Sequence, residues 1–222
     1  MRGGVRTIAG SMALLMMAAC ATSRIEVVRH NEAGLTSRQP VVLLARRNHL
    51  LGPEPEDSFL ACLRASLDGG NKPLTLYPAQ QFLDELFPWF EPRLAPTNVA
   101  DMAQLLNRTP IAARLRHTQV RFLIWLQGDT ETTDRGGGIS CGLAPSGGGC
   151  IGFAWWDQHS TYEALIWDLQ QSRSVGAVSA EVSGTSYLPA VIIPIPLIAR
   201  TQGAACKGLA EQVEALLLGE DQ

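Results

Sequence analysis

Few residues in this 222-residue chain are of a type and spacing that could do chemistry. Two glycine-rich runs, Asp134-Arg-Gly-Gly-Gly138 and Ser146-Gly-Gly-Gly149, have the look of a phosphate cradle. Neither ends in the Lys-Ser/Thr pair that grips phosphate and magnesium, and neither sits between a predicted strand and a helix. Cys141 and Cys150 have eight residues between them, unlike the two of a thiolate-activating Cys-x-x-Cys pair, so a structural bridge is expected in place of redox chemistry. Asp157 and His159, with Glu163 nearby, form a close acid–histidine grouping. No second histidine stands at ligand spacing, so they predict a surface turn and no metal. Ser186 in Gly-Thr-Ser lacks the Gly-x-Ser-x-Gly elbow of an activated nucleophile. His30, His49 and His117 stand in no telling context, and no carboxylate pair has a glycosidase setting. The expectation is a non-catalytic protein without cofactor or metal. The alternative is a small-ligand-binding or hydrolytic pocket near Asp157, His159 and Ser186.

The stretch with a definite chemical meaning lies at the N-terminus. Arg2 and Arg6 precede an uncharged run, Thr7 to Ala19, that closes on Met17-Ala18-Ala19-Cys20. A positive start, a short apolar middle and small residues at a cleavage point make an export signal. The apolar run, about 13 residues, falls short of the roughly 18 to 20 that cross a bilayer as a helix. Met17-Ala18-Ala19-Cys20 resembles the lipobox of bacterial lipoprotein signal peptides (aliphatic, small, small, cysteine), with Met17 in the usual leucine place. The resemblance covers the first twenty residues and implies that Cys20 is acylated and becomes the mature N-terminus. Ala21, standing where an aspartate would hold such proteins at the inner membrane, implies an outer-membrane lipoprotein facing the periplasm. Without that resemblance the segment reads as a plain signal peptide cut elsewhere, or a short anchor.

Removing residues 1–19 leaves 203, enough for one α/β domain with a sizeable core. Of 18 basic residues 16 remain against 21 acidic, a net charge of −5. A mildly acidic body without a Lys/Arg cluster argues against nucleic acid and against electrostatic membrane binding, leaving the acyl chains as the anchor. With Cys20 assigned to lipid, Cys62, Cys141, Cys150 and Cys206 remain, an even set for an oxidising compartment. Of three pairings, Cys141–Cys150 closes a short glycine-rich loop at little strain, and Cys62–Cys206 follows by elimination. Separate buried thiols at Cys62 and Cys206 are the alternative.

Three segments are distinguished: the signal peptide at 1–19, a lipid-anchored tether at 20–39 with a short strand near 25–29, and a single α/β domain at 40–222. Val41 to Ala45 reads as a strand buried on both faces. Phe59, Leu60, Leu63 and Leu67 give a helical stripe with Asp57 or Ser58 as its cap and Gly69-Gly70 as its stop. A strand at 74–78 and helices at 79–86, 98–106 and 110–117 follow. Asn98 reads as the cap of the second of these helices and Pro110 as the first residue of the third. Val120 to Gly128 has the strongest strand composition, and a polar stretch and the disulfide loop then lead to strands at 150–156, 162–169 and 175–182. Cys206, Leu209, Val213, Leu216 and Leu217 form the stripe of a closing helix.

Two apolar segments carry alternative readings. Phe87, Trp89 and Phe90, set among prolines, form either a loop packing three rings under the domain or an aromatic partner-facing edge. Leu188 to Ala199, with Pro189, Pro194 and Pro196, is either a buried extended connection or an exposed contact site. The element order predicts an α+β (mixed α/β) fold: a mixed sheet with antiparallel hairpins, helices on its faces and a C-terminal amphipathic helix. Over residues 40 to 218 this order is similar to the N-terminal domain of TolB and to curli-secretion lipoproteins, without a shared motif. The segments at 167–169, 184–186 and 194–196 and the Cys206 helix also resemble uncharacterised proteobacterial lipoproteins, which imply no activity. Together these features predict an envelope interaction or assembly module whose partner is another envelope protein or a second copy of itself.

Overall fold

In a computed structural model, residues 21–35, 39–46, 53–70, 72–91, 94–96, 99–144 and 147–219 are described. Signal peptide, Cys20 and Asn98 lie outside them. The elements in chain order are β1 (Ala21–Arg29), β2 (Val41–Ala45), α1 (Asp57–Gly69), β3 (Leu76–Tyr77), α2 (Ala79–Glu85), α3 (Val99–Leu106), α4 (Thr109–Thr118), β4 (Phe122–Ala144), β5 (Gly147–Asp168), β6 (Arg173–Pro194) and α5 (Thr201–Leu218). The fold is α+β: six strands form one mixed sheet in the order β1-β6-β5-β4-β2-β3. β2 pairs in parallel with β3 (Val41 opposite Leu76) and with β4 (Val41 opposite Phe122, through to Ala45 opposite Leu126). β4, β5 and β6 are antiparallel neighbours in chain order, and a turn at residues 169–172 joins β5 to β6.

The chain forms two compact units that interleave along the sequence. One comprises residues 24–129, 161–181 and 205–222, and the other 130–160 and 182–204 with the start of β1. The β5–β6 turn falls at residues 169–172, between the runs expected to pair as a hairpin, whereas the region between Gly128 and Thr161 departs from the sequence expectation. The polar stretch after Gly128 and the glycine-rich run before Cys150 are strand, and the two strands expected at 150–156 and 162–169 are one continuous strand.

The larger unit is wound on both sides of its sheet. Val42, Leu44, Leu123, Trp125, Trp167 and Leu169 share one face, where they pack with Phe82, Leu86, Met102, Leu106, Ile111 and Leu115 from α2, α3 and α4. The other face takes α1, whose buried residues are Phe59, Leu60, Leu63 and Leu67, the stripe read from the sequence. Phe59 stacks on Tyr162 of β5 with ring centroids 3.4 Å apart. α5 buries Cys206, Leu209, Val213, Leu216 and Leu217, and Cys62 of α1 is disulfide-bonded to Cys206. The N-cap of α1 is Glu56 in place of Asp57 or Ser58, and it makes no side-chain capping bond, because its carboxylate accepts the Tyr162 hydroxyl.

Two polar features fix the strand ends of this unit. Fully buried Asp168 accepts the backbone N–H groups of Gln170 and Gln171 at 3.0 Å each, closing the β5–β6 turn, and its second oxygen faces Arg121 at 3.5 Å. Arg121 also donates to Gln39 and to the carbonyl of Ala33. Gly128 has φ +118°, and a Cβ there would stand 2.0 Å from the Thr161 carbonyl oxygen, so β4 passes β5 at a separation only glycine permits.

Candidate functional site

The smaller unit is built from strand ends with an unusual composition. Residues 136–156 and 182–199 contain no Asp, Glu, Lys, Arg or His, against a charged fraction of 18% over the whole chain. Its glycines serve packing. A Cβ on Gly136 would meet the Trp155 indole at 2.9 to 3.0 Å, so the bare backbone of β4 is the surface on which Trp155 lies. Gly137 and Gly152 likewise approach the backbone of the neighbouring strand, at Phe153 and at Gly138. The glycine runs are a bed for an aromatic ring in an antiparallel ladder, a geometry unrelated to a phosphate-binding turn. Cys141 and Cys150 face each other across this ladder with Cα atoms 4.0 Å apart and are disulfide-bonded.

Buried hydroxyls order the interior of the unit. Ser160 Oγ donates to Thr201 Oγ1 at 2.9 Å and lies 2.8 Å from Thr130 Oγ1, and both Ser160 and Thr201 are buried. Because these hydroxyls satisfy one another, polar atoms are buried without unpaired donors.

Along the charge-free strand ends, large apolar side chains are exposed. Leu143 is 96% exposed, Ile151 74% and Val191 78%, and Ile192, Ile193, Ile195 and Ile198 are exposed as well. Tyr187 and Leu197 exchange both backbone hydrogen bonds, at 2.8 and 2.7 Å, and Ile195 donates to the carbonyl of Pro189. The chain thus doubles back over 188–196 and carries its isoleucines outward. Ile192 has φ +77°, a left-handed conformation that a β-branched residue adopts only at a cost. Pro189, Pro194 and Pro196 lack the N–H that would pair with an added strand. The expectation of a buried connection at Leu188 to Ala199 is therefore corrected. The missed signal was the absence of charge, since hydrophobic runs of equal strength are buried or exposed according to what covers them.

The other predicted site residues are placed as follows. Ser186 is fully buried and its Oγ accepts the Ala199 backbone N–H at 3.0 Å. Asp157 accepts the Thr185 hydroxyl at 2.6 Å from the adjacent strand, and His159 is half-buried on β5. Of the aromatic trio, Phe87 is exposed, whereas Trp89 is half-buried beneath the Arg114 guanidinium at 4.9 Å. Phe90 is buried against Phe82 and Trp125, with ring centroids 5.6 and 6.1 Å away. A three-ring edge is thus reduced to Phe87, because Phe90 supplies core volume that the short helix α2 leaves open. Both disulfides join the cysteines paired in the sequence reading. Among the described residues no helix is long and apolar enough to cross a membrane.

No protein-family model and no curated protein matches this chain. Among solved structures it is similar to the PelC dodecamer from Paraburkholderia phytofirmans, at 12% identity over 90% of this chain and 98% of that one, with a TM-score of 0.36. A single-substitution variant of the same dodecamer aligns at 12% identity over 90% and 99% of the two chains, again with a TM-score of 0.36.

Proposed function

We propose that this protein is a non-catalytic lipoprotein of the outer membrane, anchored through acylated Cys20 on the periplasmic face. It acts there as an envelope interaction or assembly module, and its partner is another envelope protein or a second copy of the chain. One observation carries the reading: exposed Leu143, Ile151, Val191 and Ile193 lie on strand ends that contain no charged residue. Exposed apolar surface of this kind marks interaction sites in soluble domains. The Cys20-type signal and the even count of the remaining cysteines supply the compartment.

The test places a photo-crosslinking residue at Leu143, Ile151 and Val191 in turn, in cells that export the full chain. Adducts to a discrete envelope protein or to the chain itself are expected, and Ile193→Asp should abolish them. Unmodified monomer at all three positions would reject the proposal. Intact mass of the mature chain reads the anchor separately, as an acylated N-terminus at Cys20 with two disulfides.

A further inference from the structure

The larger unit carries a second feature, unrelated to the apolar strand ends. From β2 the chain runs through α1 to β3 on one side, then through α2, α3 and α4 back to β4 on the other side of β2. The connection leaving β2 carries α1 and the connection leaving its parallel neighbour β3 carries α2, α3 and α4 on the opposite face, and in parallel sheets the crevice outside the carboxyl ends of such a strand pair is where ligands bind. A cleft of about 750 Å³ opens at this point, within the range of small-molecule sites (~300 to 1,000 Å³).

Arg46 stands immediately after β2 in this cleft. Its backbone N–H donates to the Leu126 carbonyl at 2.8 Å, and its guanidinium donates to the Gln127 side-chain oxygen. Gln127 in turn donates to Glu163, which fixes the direction of the amide. The same guanidinium lies 5.9 Å from the centre of the Trp125 ring, which also lines the cleft. Arg64 of α1 brings a second guanidinium to the wall and has no ion-pair partner among the described residues. Leu60, Leu76 and Leu83 supply apolar lining. The acids of the wall are on the far elements: Asp84 on α2, where it accepts the Gln80 amide at 2.9 Å, and Glu91 beyond that helix. No glycine follows β2 before Gly52, so the sequence there lacks the Gly-x-Gly-x-x-Gly pattern of a dinucleotide site.

We propose that this cleft binds a small organic carboxylate with an apolar body, the carboxylate held by Arg46 and Arg64 and the body lying on Leu60, Leu83 and Trp125. Guanidinium pairs a carboxylate through two parallel N–H donors, and an aromatic floor with leucine walls suits a hydrocarbon or ring. The assignment is independent of the interaction surface.

The test is calorimetric titration of the full chain carrying Cys20→Ser, which stays out of detergent, with 4-phenylbutyrate and its neutral counterpart 4-phenylbutanol. Saturable binding of the acid is expected, with the alcohol weaker by about tenfold or more, the worth of a charge-assisted pair. Arg46→Gln should lower the acid to the level of the alcohol, and Leu83→Trp, which fills the cleft, should abolish both. Equal binding of acid and alcohol would overturn the proposal, as would binding of neither. Undiminished affinity in folded Leu83→Trp protein would place the ligand elsewhere. Should Arg46→Gln not fold, the exposed Arg64→Gln takes its place, and the acid–alcohol comparison decides by itself.

Discussion

The two disulfides differ in span by more than an order of magnitude, and this sets the sign and size of a clean experiment. Cys62–Cys206 joins α1 to α5 over a separation of 144 residues, whereas Cys141–Cys150 spans 9. In the chain-entropy account, closing the long loop restricts the unfolded ensemble by about 5 kcal/mol, and closing the short one by about 2.6 kcal/mol. The larger figure is a third or more of the ~5 to 15 kcal/mol by which domains are stable. Cys62→Ala with Cys206→Ala should therefore lower the urea midpoint by about 2 M at a slope near 2.5 kcal/mol per molar. Cys141→Ala with Cys150→Ala should lower it by about half as much. The assay is equilibrium unfolding followed by tryptophan fluorescence and circular dichroism on all three proteins, with the slope fitted for each. Equal losses, or a greater loss from the short bridge, would refute the reasoning. A steeper slope is expected of the variant without the long bridge, whose unfolded chain is less compact, so the losses are compared as free energies extrapolated to water.

Three further outcomes follow from the packing of the larger unit. Gly128→Ala forces a Cβ toward the Thr161 carbonyl at positive φ, and a loss of about 2 kcal/mol or more is expected in thermal or urea unfolding. Asp168→Asn removes the charge facing Arg121 while keeping one acceptor for the turn amides. About 3 kcal/mol should be lost in the same assay, the range for breaking a buried pair. Burial, reinforced by nearby Glu211 and opposed by Lys72, holds the Glu214 carboxyl above its usual 4.5. A raised carboxyl costs stability above its folded value, and that cost fades as pH falls toward 4.5 and protons bind. Glu214→Gln should thus stabilise at pH 7 by about 0.5 kcal/mol or less, after allowance for its partial exposure. The gain should shrink as pH falls and vanish only below pH 4.5, as read from melting midpoints across that range.

Amphipathic stripes made the helices legible in the sequence. Phe59 to Leu67 and Cys206 to Leu217 repeat at helical spacing, and burial in the structure falls on those residues. β2 was equally plain, because a strand covered on both faces is apolar throughout. The extended halves of β4, β5 and β6 were not. Thr130 to Gly138 and Gly147 to Gly149 have little β-propensity, and their strand state comes from pairing with distant partners, which no local window contains. Phe90 escaped for a related reason, since aromatic residues beside prolines pack inward or outward according to the volume their neighbours leave. The cleft beside Arg46 left no trace in the sequence, because it is assembled from the ends of three strands that only topology brings together.

The charge-free strand ends at residues 136–156 and 182–199 also bear on kinetics. Long-range attraction accelerates association where opposite charges face one another, and salt abolishes that gain. A surface drawn from residues 136–156 and 182–199 has no such field of its own. Complexes formed on it should associate at the unassisted rate of roughly 10⁵ to 10⁶ M⁻¹s⁻¹, at the same pace in dilute and concentrated salt. Any selectivity among partners must then reside in how slowly the fitted pair comes apart.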